Sequence, residues 1–138
     1  MRRGVSVHRV SNEDVAAITA TNDAFYAAFE AGDLPALLAT WEHGDDVVCT
    51  HPGWPSLHGW EAVKDSWERI AMGPGTQQFL LTEVRIRVEG DIGWVSLDEN
   101  LLGERSSTVT SINIFRRQPD DRWLMVAHHG SPVMTSYR

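Results

Sequence analysis

QFLLTEVRIRVEGDIGWVSLDENLL, residues 78–102, is the stretch that decides the fold class. Apolar and charged residues alternate from Val84 to Val88, which is the pattern of a half-buried strand, and Gly90-Asp91 is typical of a tight turn. Residues 107–117 and 123–129 have the same strand-like character and follow short turns at residues 103–106 and 118–122. The second half of the chain is therefore predicted to be a run of antiparallel strands.

Three helices are predicted before this run. Ser11 is placed to cap the first helix, and Gly32 ends it. Asp33 caps a second helix, in which Pro35 suits the first turn. The third helix carries apolar residues at helical spacing: Trp60, Val63, Trp67 and Ile70. Because helices and strands are segregated, we predict an α+β fold, with three N-terminal helices packed on a strongly curved antiparallel sheet that forms a cone with an internal pocket.

Length and composition exclude several classes of protein. A chain of 138 residues fits one domain, so residues 11–138 are predicted to form a single domain behind an N-terminal arm of residues 1–10. The net charge of −7, without a basic stripe, argues against nucleic acid as a partner. No apolar run is long enough for a membrane span, and one cysteine, Cys49, accords with a cytoplasmic location.

His51 ends a short apolar strand and is the first candidate for chemistry. Side chains alternate along a strand, so Val47, Cys49 and His51 share one face, and the chain then breaks at Pro52. An imidazole at the end of a buried face can serve as a base with a tuned pKa, or it can simply cap the turn. An apolar setting raises the pKa of a thiol, so Cys49 is predicted to be an inert core residue.

Glu99 and the pair His128-His129 are further candidates for the pocket. Glu99 shares its face with Val95 and Leu97, where burial would raise its pKa and let it act as an acid or orient His51; a paired charge at a sheet end or dimer interface is the alternative. His128 and His129 lie on opposite faces of their strand, and both faces are mostly apolar, so periodicity does not identify the inward one.

The candidate contacts for a ligand are mainly aromatic and histidine side chains. Trp54 lies in a proline-rich loop and suits a ligand contact, whereas the helical spacing of Trp41 also suits the core. The predicted ligand-binding set is Phe29, Trp41, Trp54, His58 and His128. The histidines could be read together with Cys49 as a zinc site, but their spacing does not match a zinc motif, and no metal is predicted.

Four motifs make the chain resemble the SnoaL-like branch of the nuclear transport factor 2-like superfamily. They are FYAAFEAGDL at residues 25–34, THPG at residues 50–53, NIFR at residues 113–116 and WLMVAHHGSP at residues 123–132. The resemblance extends from about Ser11 to Pro132. That superfamily includes ketosteroid isomerases, scytalone dehydratase, polyketide cyclases, limonene epoxide hydrolases and the association domain of calmodulin-dependent kinase II, so the fold alone does not give the function.

Comparison with ketosteroid isomerase assigns expected roles to three residues. Tyr26 stands seven residues before Asp33, where that enzyme has its tyrosine, and His51 stands before a proline in the place of its aspartate base. Asn113, two residues before Phe115, occupies the place of its second oxyanion donor. The resemblance thus implies His51 as base with Tyr26 and Asn113 as donors, and the changed base and donor argue against steroid isomerisation itself.

The resemblance also favours His129 over its neighbour, because His129 begins a His-x-Ser-Pro ending typical of the SnoaL-like branch. The predicted catalytic set is therefore Tyr26, His51, Glu99, Asn113 and His129. We predict an isomerase, cyclase or dehydratase that acts on a small, largely apolar carbonyl compound by acid–base catalysis without a cofactor. The alternative is a non-catalytic ligand-binding or oligomer-assembly domain. The resemblance further implies a homodimer formed through the sheet.

Overall fold

The computed structural model describes residues 11–73, 77–103 and 107–134, so the predicted arm of residues 1–10 lies outside the described part. In chain order the elements are α1 (Asn12–Ala31), α2 (Leu34–Leu38), β1 (Val48–Thr50), β2 (Leu57–His58), α3 (Trp60–Ala71), β3 (Gln78–Glu89), β4 (Ile92–Leu102), β5 (Ser107–Arg117) and β6 (Trp123–Pro132). The α+β class is confirmed.

The helix ends follow the sequence signals, but the order of helices differs from the prediction. Ser11 Oγ accepts a hydrogen bond from the backbone N–H of Asp14, and Gly32 ends α1 in the left-handed conformation at φ 69°. Asp33 caps α2, which has only five residues. Because α3 follows β1 and β2, the prediction of three N-terminal helices holds only for α1 and the short α2.

One six-stranded sheet has the strand order β2-β1-β6-β5-β4-β3. The four long strands pair antiparallel, as predicted. However, β1 pairs parallel to β6, with Cys49 opposite His128, so the prediction of a fully antiparallel sheet is wrong. A parallel pair needs a long connection between its strands, and here the whole chain from β2 to β5 provides it. This pairing brings His51 beside the last strand.

A β-bulge in β6 reverses the direction of every side chain that follows it. Phe115 pairs with Met125 and Ile114 pairs with Ala127, which leaves Val126 as an extra residue. An extra residue changes the phase of the alternation, so Met125 points inward and so does His128, an odd number of residues later. A second bulge lies in β3 between Thr82 and Arg85.

The core lies between α1, α3 and the inner face of the sheet. Phe25 on α1 packs edge-on against Trp67 on α3, with 5.5 Å between ring centroids. Gly93 on β4 lets α1 approach closely, because a Cβ there would lie 2.3 Å from the Ile18 Cδ1 atom. None of the helices in the described ranges is both long and apolar enough to cross a membrane.

Candidate active site

A cavity of about 390 Å³ opens between the helices and the inner face of the sheet. Its wall is mainly apolar and aromatic; prominent members are Phe29, Leu37, Trp54, Trp67, Phe79 and Leu101. Three buried polar side chains, His51, Glu99 and His128, also line it. A mostly apolar cavity with a few converging polar groups is the usual form of a small-molecule site.

His51 is held by Ser66, a serine on the inner face of α3. The His51 Nε2 atom lies 2.8 Å from Ser66 Oγ, and that hydroxyl donates its only proton to the backbone carbonyl of Val63 at 2.7 Å. Ser66 must therefore accept from His51, which places the imidazole proton on Nε2 and the lone pair on Nδ1. Burial lowers the pKa of His51 to about 4, so the ring is neutral near pH 7 and Nδ1 can accept a proton.

Cys49 lies beside His51 but has the properties of a core residue. Its Sγ atom is 3.6 Å from His51 Nε2, and burial raises the pKa of the thiol to about 12. A thiol with that pKa is protonated near neutral pH and is a poor nucleophile. The expectation of an inert Cys49 agrees with this geometry.

Glu99 is buried on β4 with one oxygen engaged and one unpartnered. Its Oε2 atom accepts hydrogen bonds from Tyr26 Oη at 2.6 Å and from Ser111 Oγ at 2.9 Å. Its Oε1 atom has no partner among the described residues, and Glu99 forms part of the cavity wall. Burial raises the pKa of the carboxyl group, and the two hydrogen bonds lower it in part. When Glu99 is protonated, the proton therefore belongs on Oε1.

Tyr26 and Asn113 lie behind this wall in a network of buried hydrogen bonds. The Asn113 amide donates to Asn22 Oδ1 at 2.9 Å and to Tyr26 Oη at 3.1 Å, while its Oδ1 accepts from His128 Nδ1 at 2.5 Å. Tyr26 gives its own proton to Glu99. Neither residue lines the main cavity, and their donor hydrogens are already used. The structure thus brings Tyr26 and Asn113 together but places them outside the main cavity, with their donor hydrogens directed at other protein groups and not at an oxyanion of a ligand.

The inward histidine of β6 is His128, not His129. His128 is 3% exposed and lines the cavity, whereas His129 is exposed on the other side of the sheet. The structure therefore does not bring His129 together with the other members of the predicted catalytic set, and His128 takes the inward position. The extra residue Val126 shifts the alternation, so the face shared by Trp123 and Met125 continues through His128.

The sequence matches the family model of the SnoaL-like domain over residues 18–135. The chain belongs to the SnoaL-like family. No curated protein matches it significantly. Among solved structures, a protein of the NTF2-like family from Streptomyces avermitilis, for which a dehydratase activity has been suggested, is 34% identical; the match covers 91% of this chain and 100% of that one, with a TM-score of 0.82.

Two further solved structures show how widely this fold is used. A protein from Thiobacillus denitrificans, suggested to be a calcium/calmodulin-dependent protein kinase type II association domain, is 34% identical over 84% of this chain and 94% of that one, with a TM-score of 0.77. A ketosteroid isomerase-like protein from Erwinia carotovora atroseptica is 21% identical over 91% of this chain and 100% of its own, with a TM-score of 0.72, and shows similarity of fold alone.

Two of the expected ligand contacts in this SnoaL-like domain lie away from the cavity. Trp41 is 1% exposed in the core, where it faces Trp60 with 6.3 Å between ring centroids. His58 is exposed on the edge strand β2. The structure therefore places Trp41 and His58 outside the cavity that was expected to hold them, because one is covered by packing and the other faces solvent. Phe29 and Trp54 do line the cavity.

Three residues that organise the site were not predicted from the sequence: Asn22, Ser66 and Ser111. Asn22 and Ser66 are polar residues at apolar positions of helices, and each is no more than 3% exposed. A polar residue that interrupts an apolar face at helical spacing is a signal of a buried hydrogen bond, because burial without a partner is costly. In the described ranges, no three His, Cys, Asp or Glu side chains gather as a metal site would require.

Proposed function

We propose that this SnoaL-like domain is a dehydratase-type enzyme that removes water from a small, largely apolar hydroxy ketone. One observation carries the proposal: His51 and Glu99 line the same cavity. The basic Nδ1 atom of His51 has only the weakly donating Cys49 thiol as a partner among the described residues, at 3.9 Å, and Glu99 has one carboxyl oxygen left free. The two environments disfavour charge on both groups, so a neutral base and a protonated acid can face one ligand.

The reaction divides the work between these two groups. His51 Nδ1 takes a proton from the carbon next to the carbonyl, and the electron pair of that C–H bond forms the new carbon–carbon double bond. The bond to the hydroxyl on the next carbon breaks, and the proton on Glu99 Oε1 joins the departing oxygen to give water. The products are the conjugated ketone, a protonated His51 and an ionised Glu99, which exchange protons with solvent to start again.

The apolar wall supports the same chemistry. Phe29, Trp54 and Trp67 offer aromatic surface to the hydrocarbon part of the ligand, and expulsion of water strengthens the interactions of the two polar groups. The relative from Streptomyces avermitilis, at 34% identity, has a suggested dehydratase activity. We also propose that the curved inner face of the sheet and the helices together enclose the ligand in the cone-shaped pocket predicted from the sequence.

The test uses 4-hydroxy-4-phenylbutan-2-one, whose elimination product 4-phenylbut-3-en-2-one absorbs strongly in the ultraviolet. The unmodified protein should accelerate formation of this product. His51→Ala and Glu99→Gln should each lower kcat by roughly 100-fold or more, because each removes a proton-transfer group. His58→Ala, a histidine on the exposed edge strand, is the matched control. Turnover that survives in His51→Ala would contradict the assignment.

A second candidate is an assembly role in which a second copy of the chain packs on the outer face of the sheet. Trp94 on β4 is 37% exposed and Ile112 on β5 is 47% exposed, and both point away from the cavity. Apolar side chains on an exposed sheet face are typical of an interface. Sedimentation equilibrium should show a dimer that Trp94→Lys dissociates and His51→Ala leaves intact; a monomer in both proteins would exclude this role.

A further inference from the structure

His128 is oriented by a chain of buried hydrogen bonds that leaves one ring nitrogen free. Its Nδ1 atom donates to Asn113 Oδ1, and the Asn113 amide is fixed in that direction because its nitrogen donates to Asn22 and Tyr26. The proton of the neutral ring is therefore on Nδ1, and Nε2 carries a lone pair. Nε2 has no partner among the described residues, and the ring forms part of the cavity wall.

The electrostatic setting of the cavity disfavours an anion. Burial lowers the pKa of His128 to about 3, with smaller contributions from His51 and His129, so the ring stays neutral near pH 7. The carboxyl group of Asp33 also lines the cavity. A ligand carboxylate would meet this acidic residue and neutral imidazoles that resist protonation, and burial of an unpaired charge is costly.

We infer that His128 determines ligand specificity, with Nε2 accepting a hydrogen bond from a hydroxyl group of the ligand, so that the cavity prefers an uncharged hydroxy ketone to the same ketone without the hydroxyl and to the matching carboxylate. This inference takes its class of ligand from the proposed function. The preference itself concerns binding and does not require turnover. Of the three buried polar side chains on the wall, His51 and Glu99 move protons, and His128 recognises the hydroxyl.

The test measures binding with ligands that cannot react. The probe 4-hydroxy-3,3-dimethyl-4-phenylbutan-2-one has no hydrogen on the carbon between its carbonyl and its hydroxyl-bearing carbon, so elimination is blocked. Its partners are 3,3-dimethyl-4-phenylbutan-2-one, which lacks the hydroxyl, and 3-hydroxy-2,2-dimethyl-3-phenylpropanoate, in which a carboxylate replaces the acetyl group. Isothermal titration calorimetry should show the hydroxy ketone binding about five- to tenfold more tightly than the deoxy ketone, as expected for one net hydrogen bond. The carboxylate should bind more weakly than the hydroxy ketone.

His128→Phe and His129→Phe form a matched pair of variants, because the same residue type stands at adjacent positions on opposite faces of β6. His128→Phe should lose most of the preference for the hydroxy ketone and keep only what a contact with Glu99 contributes, whereas His129→Phe should keep the full preference. His128→Gln supplies a carbonyl acceptor at the same place and should recover part of the preference. If His128→Phe does not fold by circular dichroism, the comparison of His128→Gln with the unmodified protein decides the question.

Each result bears on the inference in one direction. A hydroxyl preference that persists undiminished in His128→Phe, a carboxylate that binds as tightly as the hydroxy ketone, or no binding of either ketone up to its solubility limit would overturn it. If the unmodified protein prefers the hydroxy ketone in the binding assay but does not catalyse elimination of the reactive hydroxy ketone, only the proposed reaction is contradicted. Turnover of the reactive hydroxy ketone without any hydroxyl preference would support the reaction and overturn the role of His128.

Discussion

Two buried neutral histidines should make the stability of this protein depend steeply on pH. Burial lowers the pKa of His51 to about 4 and that of His128 to about 3, from an ordinary value of 6.5. The unfolded chain therefore takes up protons at a higher pH than the folded protein does. Stability is complete above about pH 6.5 and is lost as the pH falls towards the folded-state pKa values.

The magnitude follows from the number of protons taken up on unfolding. Between about pH 4.5 and pH 6 each histidine should bind nearly one more proton in the unfolded state, which lowers the free energy of unfolding by about 1.4 kcal/mol per pH unit. The complete shift of His51, from 6.5 to about 4, corresponds to about 3 kcal/mol. Glu99 acts in the opposite direction, because its raised pKa makes the folded state the one that gains a proton as the pH falls.

The assay is urea unfolding followed by tryptophan fluorescence at a series of pH values. His51→Gln and His128→Gln should each flatten the slope of unfolding free energy against pH by about 1.4 kcal/mol per unit, and Glu99→Gln should make it steeper. His58→Gln, at an exposed position, is the matched control. A slope that is the same in both cavity variants and the unmodified protein would refute the reasoning that these rings are held neutral by burial.

Three further perturbations test the packing and the hydrogen-bond network. Gly93→Ala should lower the free energy of unfolding by about 1–3 kcal/mol, because the added Cβ would lie 2.3 Å from Ile18 Cδ1; thermal unfolding measures this. Tyr26→Phe should destabilise by about 1.5–3 kcal/mol by removing a hydrogen bond to a carboxyl group, and it should raise the pKa of Glu99 further, as infrared titration of the carboxyl band would show. Trp54→Ala should weaken binding of an aromatic ketone with less than about 1 kcal/mol of lost stability, because Trp54 is 37% exposed at the cavity wall.

Each of these variants has a control or a contradicting result. Ile18→Val combined with Gly93→Ala should recover part of the lost stability, since the shorter side chain makes room. An unchanged carboxyl titration in Tyr26→Phe would show that Tyr26 does not tune Glu99. Equal ketone affinity in Trp54→Ala and the unmodified protein would remove Trp54 from the binding surface.

The strand pattern predicted much of the inner face correctly. Val47, Cys49 and His51 are all buried on one side, as alternation requires, and so is Glu99. Glu99 was predictable because β4 keeps a regular two-residue period without an insertion. The alternation of Val47, Cys49 and His51 also holds, although β1 itself covers only Val48–Thr50.

The sequence could not predict which histidine of β6 points inward. Val126 is a bulge residue, and nothing in its chemistry distinguishes it from an ordinary strand valine. The bulge depends on how β6 fits β5 and β1 at once, so it is a property of the sheet and not of the local sequence.

The spacing of residues along the chain also could not predict the hydrogen-bond partners of Tyr26 and Asn113. Both residues occupy the expected sequence positions, but Tyr26 donates its hydrogen bond to Glu99, and Asn113 donates to Asn22. The spacing of residues in the sequence predicts where a side chain lies. The direction of its hydrogen bonds depends on all the polar groups that surround it in the folded protein.

Because β1 pairs in parallel with the last strand, β6, the cavity can form only after nearly the whole chain has been synthesised. His51 emerges from the ribosome long before His128, and the strand that carries His128 must dock beside β1 before both rings line one space. A nascent chain lacking β6 would hold Ser66 and His51 without the neighbouring strand that carries His128. Contacts between distant segments form slowly, because loop closure must precede any gain from the contact. Ligand affinity should therefore develop only when the last strand is seated, so a tight ligand could act as a pharmacological chaperone for newly made chains.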